Sequence, residues 1–152
     1  MSVGEEKELA KFLAAFTPGI AATAKKARRK IRSMLPGASE LVYDNYNALA
    51  IGYAPGEKAS EAIVSLAIYP SWVRLFFLQN GPSIPDPGKR LEGSANRVRS
   101  VRMESADTLD EHEIRTLIAH AIRLAVRPID PMAKSRLIIK SVSAKQRPRR
   151  PT

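Results

Sequence analysis

Apolar residues recur at helical spacing near the start of the chain. Leu9, Phe12, Leu13 and Phe16 lie three and four apart within "EEKELAKFLAAF". Glu5, Glu6 and Glu8 occupy the first turn, where negative charge suits the helix dipole. The spacing predicts a helix over 5–16, broken by Thr17, Pro18 and Gly19. A second helix is expected from Ala21 to Leu35, with Ala24, Ala27, Ile31 and Met34 as a narrow apolar stripe and Pro36-Gly37 as its stop.

The period then changes from helical to alternating. Leu41–Tyr43 reads as a short extended piece, Asp44-Asn45 as a turn and Ala48–Tyr53 as a strand. "APGEKASEA" reads as a loop. Residues 63–70 and 72–79 read as two strands, and the short Pro70-Ser71 gap predicts a hairpin between them. Residues 80–95, with three prolines and three glycines, read as an ordered surface excursion. Residues 96–105 read as a fourth strand. Asp107 or Asp110 is expected to cap a last helix running to about Arg127, with Ile114, Leu117, Ile118, Ala121, Ile122 and Ala125 facing inward. The order helix, helix, strands, helix implies an α+β fold, an antiparallel four- to five-stranded sheet with helices packed on one face. The expected division is a single domain over 1–133 and a basic tail over 134–152, partly flexible beyond Ser143.

Strand parity divides the aromatic stretch "AIYPSWVRLFFLQNG", residues 67–81, into two sets. Val73, Leu75 and Phe77 should face the helices. Trp72, Arg74, Phe76 and Leu78 should face away, beside Ser65, Ala67 and Tyr69. Ser100 and Arg102 join that outer face if Val101 and Met103 point inward. Tyr69, Trp72, Arg74, Ser100 and Arg102 are therefore the candidate ligand-binding residues. Rings, guanidinium groups and hydroxyls together suit an anion or an aromatic ligand. The competing reading is packing: a covering loop, for which residues 82–95 are the candidate, or a homodimer contact.

Charge adds a second candidate surface. The chain of 152 residues carries a formal net charge of +10. Residues 25–32, "KKARRKIR", hold six cations and no acid, and residues 134–152 hold seven and no acid. The stretch 33–133 has ten basic and twelve acidic residues, a net of −2. Lys25, Arg28, Arg29 and Arg32 on the second helix, with Arg147, Arg149 and Arg150 in the tail, could grip a phosphate backbone weakly and without reading sequence. A solvated helix face accounts for the same residues.

Catalytic and metal chemistry finds little footing. There is no cysteine, which excludes disulfides, thiolate metal sites and cysteine nucleophiles and fits a reducing, cytoplasmic setting. The two histidines, His112 and His120, are about 12 Å apart along a helix and cannot share a metal directly. No nucleophile elbow or phosphate loop is present, and no acid–base pair can be assigned. The sequence thus points away from an enzyme and to no cofactor and no metal. No apolar run reaches membrane-spanning length, and "MSVGEEKE" does not read as a signal peptide. The polar cluster Asp44, Asn45 and Asn47, beside Tyr43 and Tyr46, reads either as a pocket rim or as an irregular turn satisfying its own backbone.

Several segments in order, "YDNYNALAIGYAP" (43–55), "SEAIVSLAIYPSWVRLFFLQNG" (60–81), "IPDPGKRLEGSANRVRSVRM" (84–103) and the acidic-capped last helix, resemble the YdhG-like family of small bacterial domains, over roughly Leu9 to Ala125. The resemblance implies an α+β fold with an antiparallel sheet. One branch of that family is a proposed frataxin-like iron chaperone, which implies exposed acids. The candidates here are Glu5, Glu6 and Glu8, or Asp107, Asp110, Glu111 and Glu113. The leading expectation is non-enzymatic binding of a small ligand or protein partner, with iron chaperoning as one special case. The alternative is weak nucleic-acid association.

Overall fold

The computed structural model describes residues 3–151; Met1, Ser2 and Thr152, at the ends of the expected domain and tail, lie outside the described residues. Helix α1 spans Val3–Ala14 and buries Leu9 and Leu13, with Phe16 completing the stripe just beyond it. Helix α2 spans Pro18–Met34 and so begins earlier than the sequence pattern suggests. Pro18 opens the helix rather than breaking the chain, because its missing N–H would be unpaired in the first turn anyway. Thr17 is the cap, its hydroxyl accepting from the Ile20 N–H at 3.4 Å. Ala21, Ala24, Ala27 and Ile31 are buried. The small alanine side chains let α2 lie close to the sheet and leave its cations to the flanks. The turn after α2 requires Gly37, whose φ is 88° and where an added Cβ would stand 1.9 Å from the Asp130 carbonyl oxygen.

Six strands follow: β1 (Ser39–Asp44), β2 (Leu49–Ala54), β3 (Val64–Ile68), β4 (Val73–Phe77), β5 (Arg99–Met103) and β6 (Leu137–Val142). They form one sheet in the order β5-β4-β3-β2-β1-β6. Neighbours from β1 to β5 are antiparallel, while β6 runs parallel to β1. The fold is α+β, as expected, but the sheet is six-stranded and mixed rather than four- to five-stranded and antiparallel. Two segments account for the difference. The short extended piece at 41–43 is a full strand inside the sheet, and part of the expected tail forms β6 through Leu137, Ile138 and Ile139.

Val64, Leu66 and Ile68 pair across β3–β4 with Phe77, Leu75 and Val73 on the inner face, as parity predicts. These residues share one core cluster with Leu9 and Leu13 of α1, Ala24 and Ile31 of α2, and the last helix, α3 (His112–Arg123), through Ile114, Leu117 and Ile118. Helix α3 is shorter than expected at both ends. Ser105 and Thr108 form a capping box on a single 3-10 turn, Ala106–Asp110, ahead of it. At its far end Asn80 Nδ2 donates to the Leu124 carbonyl at 2.9 Å, and Gln79 Oε1 accepts from the Val126 N–H at 2.8 Å. These two side chains, supplied by the segment after β4, take up the terminal backbone groups and stop the helix before Arg127.

Candidate functional site

Three of the six cations of α2, Lys26, Arg28 and Lys30, are closely paired within the protein. Arg28 donates Nε and Nη2 to the two oxygens of Glu40 at 2.9 and 2.8 Å, and Nη2 and Nη1 to Glu6 at 2.6 and 3.1 Å. Tyr53 Oη donates to the same Glu40 carboxylate at 2.8 Å. Glu40 and Tyr53 are buried inner-face neighbours across β1–β2. Burial alone would lower the Arg28 pKa, but its hydrogen bonds to Glu40 and Glu6 outweigh that and raise it. Burial first, then the Glu40 charge, pushes the Tyr53 phenol well up. Lys26 pairs with Asp107 at 3.0 Å and Lys30 with Asp110 at 2.6 Å. Lys25 and Arg29 have no ion-pair partner among the described residues, and Arg32 reaches only Glu40, at 3.8 Å.

The tail divides in the same way. Arg149 is 7% exposed and donates to Asp44 at 2.8 Å, with its guanidinium over the Phe16 ring. Arg150 donates to the Ala14 and Ala15 carbonyls at the end of α1, where a cation suits the helix dipole. Arg147 lies over the Tyr46 ring at 5.7 Å. Of the seven candidate phosphate contacts, Arg28 and Arg149 are therefore withdrawn into buried ion pairs.

The outer sheet face differs in composition. The chain has nine aromatic residues (one Trp, four Tyr, four Phe). Tyr43, Tyr69, Trp72 and Phe76 occupy outward-facing positions, and Tyr46 stands in the β1–β2 turn beside them. Tyr43 packs there against a small second apolar cluster of Leu41, Ala54 and Ala62. Between the rings the central strands present Ala50, Gly52, Ser65 and Ala67, which pair across β2–β3 and form a low floor. One hollow of about 500 Å³ lies over this floor, between Tyr46, Tyr69, Phe76 and Leu78. A second, of about 670 Å³, lies between the Tyr69–Trp72 turn and the tail at Arg147, Pro148 and Arg150. Asn47 and Tyr69 line both, so the two hollows adjoin, and together they make up the outer-face trough.

The five candidate ligand residues all lie on this face, but they do not act as one group. Arg74 donates to Ser100 Oγ at 2.8 Å and pairs with Glu92 at 3.5 Å. Glu92 pairs with Ser100 by two backbone hydrogen bonds along the free edge of β5, and its side chain reaches the outer face at Arg74. Tyr69 and Trp72 remain open, 5.6 Å apart and tilted by 33°, with Arg102 over the Trp72 ring at 5.6 Å. The indole is 42% exposed. Arg147 and Arg150, read from the sequence as part of a separate surface, arrive at the same trough. Tyr46, Asn47 and Phe76 complete its lining. In the "DNYN" stretch Asn45 and Asn47 line the hollows, as a pocket rim would, while the Asp44 carboxylate anchors Arg149 rather than the backbone of its own turn. Tyr43 Oη is a buried oxygen without a hydrogen-bond partner among the described residues, and burial raises its pKa.

Most of the acids named as metal candidates are paired. Glu6 bonds Arg28, Asp107 and Asp110 bond lysines of α2, and Glu111 and Glu113 both accept from Arg90. No group of three or more His, Cys, Asp or Glu side chains among the described residues is arranged to hold a metal. Among the described residues no helix is long and apolar enough to cross a membrane. Compared with family models, curated proteins and solved structures, the chain matches none. The YdhG-like resemblance therefore rests on the sequence motifs alone.

Proposed function

We propose that the protein is a non-enzymatic binding module whose ligand lies in the outer-face trough and combines a flat ring with an anionic group, as a nucleotide does. One observation carries this reading: a half-exposed indole and a partly exposed phenol stand beside Arg102, Arg147 and Arg150, and among the described residues no carboxylate lines either hollow. A base stacked on such a ring gains about 1–3 kcal/mol, and a guanidinium fork matches a phosphate. Arg74 and Ser100 hold each other on the same face and line neither hollow.

Trp72 is the only tryptophan, so its fluorescence reports the trough directly. Titration with mononucleotides should give saturable quenching, and Arg102→Gln with Arg147→Gln should weaken it about tenfold or more. Unchanged emission across the mononucleotides would overturn the reading. Quenching by oligonucleotides alone would favour the alternative, weak nucleic-acid association, now built on the trough and tail rather than on Arg28 and Arg149. A concentration-dependent emission shift without ligand would instead make the face a homodimer contact. Iron chaperoning has the weaker support, because most of the acids it would use are neutralised by neighbouring cations.

A further inference from the structure

On the helical side of the sheet, α2 lines two smaller hollows. One, of about 370 Å³, is bounded by Arg29, Arg32, Ser33, Leu35, Ala38, Tyr53 and Ser135. The other, of about 310 Å³, lies between α1 and α2, with Lys25, Arg28, Arg29 and Arg32 along its wall. Arg29 and Arg32 line both. They sit one helical turn apart, so two like charges are held on one face.

Their counter-charge has been spent elsewhere. Glu6 is taken up by Arg28. Among the described residues Glu40 is the one carboxylate within 4 Å of Arg32, and it already accepts three hydrogen bonds of 2.8–2.9 Å from Arg28 and Tyr53. Arg29 has no ion-pair partner among the described residues. The same network ties α2 to β1 and β2, so the backbone carrying the two guanidiniums is fixed before any ligand arrives. Across the larger hollow stands Ser135, whose hydroxyl makes no hydrogen bond among the described residues. The Ser33 hydroxyl already donates to the Lys30 carbonyl at 2.7 Å and has no proton to offer. Leu35 and Ala38 give the hollow an apolar wall.

We infer that this hollow is an anion site for a phosphate group, free or as the end of a compact phosphomonoester, held by Arg29 and Arg32 with Ser135 as a further donor. One guanidinium fork would satisfy a carboxylate; two forks and a hydroxyl suit a tetrahedral dianion with three terminal oxygens. The volume is near the lower end for small-molecule sites, which limits the body attached to the phosphate. The inference is independent of the trough, which lies on the opposite face of the sheet.

Calorimetric titration with inorganic phosphate, against sodium chloride at matched ionic strength, tests it. Saturable binding is expected, weakened roughly tenfold or more by Arg29→Gln/Arg32→Gln and to a lesser degree by Ser135→Ala. Arg97→Gln, an exposed cation that lines none of these hollows, should leave it unchanged. Glycerol 3-phosphate separates the two sources: tighter binding than phosphate assigns the site to an ester, equal or weaker binding to the free ion. Phosphate heat reproduced by chloride, or an undiminished affinity in the double variant, would overturn the inference. Should the double variant fail to fold, the exposed Arg29→Gln alone must still weaken binding.

Discussion

Arg28 and Arg102 lie on opposite sides of one sheet, and each meets an aromatic residue or its hydroxyl-bound partner. Arg28 is fixed by two carboxylates, one of them shared with a buried phenol, and every nitrogen of its guanidinium is used. Arg102 rests on an open indole and has no ion pair among the described residues. The inner cluster has completed its chemistry within the chain, whereas the outer one still has room for a partner. Residue type does not separate the two clusters; the fraction of bonding capacity left unused does.

Breaking the inner cluster should have the largest effect. Arg28→Met leaves Glu40 buried without its main counter-charge and should cost about 3–5 kcal/mol in urea unfolding. Adding Glu40→Leu removes the stranded charge and should recover much of that loss. A double variant as unstable as the single one would show that the network does more than neutralise itself. The Arg149–Asp44 pair is the next test, because both side chains are less than 10% exposed. Arg149→Ala should cost about 3 kcal/mol and speed amide exchange at Ser143 and Arg147, whose N–H groups bond the Asp44 and Tyr46 carbonyls. The half-exposed Trp72→Ala should cost far less stability while abolishing nucleotide binding.

Acid gives the smallest and most graded contrast. The hydrogen bond from Arg28 holds the Glu6 carboxyl below its ordinary 4.5. Because the folded value is the lower one, the contribution is complete above about pH 4.5 and is lost as pH falls through the folded value. Glu6→Gln should flatten that part of the stability profile, measured by thermal melts from pH 6 downwards. An unchanged slope would mean that the pair is too solvent-screened to matter.

How much could be read in advance depended on the range of the interactions involved. The outward set Tyr69, Trp72, Arg74, Ser100 and Arg102 was legible because strict alternation in β4 and β5 fixes which side chains share a face. Strand β1 was harder, since Glu40 and Asp44 interrupt its apolar pattern. Those charges are tolerated only because their partners arrive from 12 and 105 positions away. Strand β6 was obscured because Leu137, Ile138 and Ile139 sit within a run of seven cations and no acid. Pro18 signals a break and a helix start equally well until the cap at Thr17 is seen. The approach of Arg147 and Arg150 to the Tyr69–Trp72 turn had no local signal at all.

The parallel pairing of β6 with β1 also orders events in time. A ribosome delivers β1 roughly a hundred residues before its second neighbour, so the growing chain carries a strand with one bare edge and an unmatched Asp44 through most of its synthesis. Such an edge invites pairing with another nascent copy. The arrival of the last strand and Arg149 together closes the edge and neutralises the acid, and until then the protein is expected to depend most on being kept apart from its siblings.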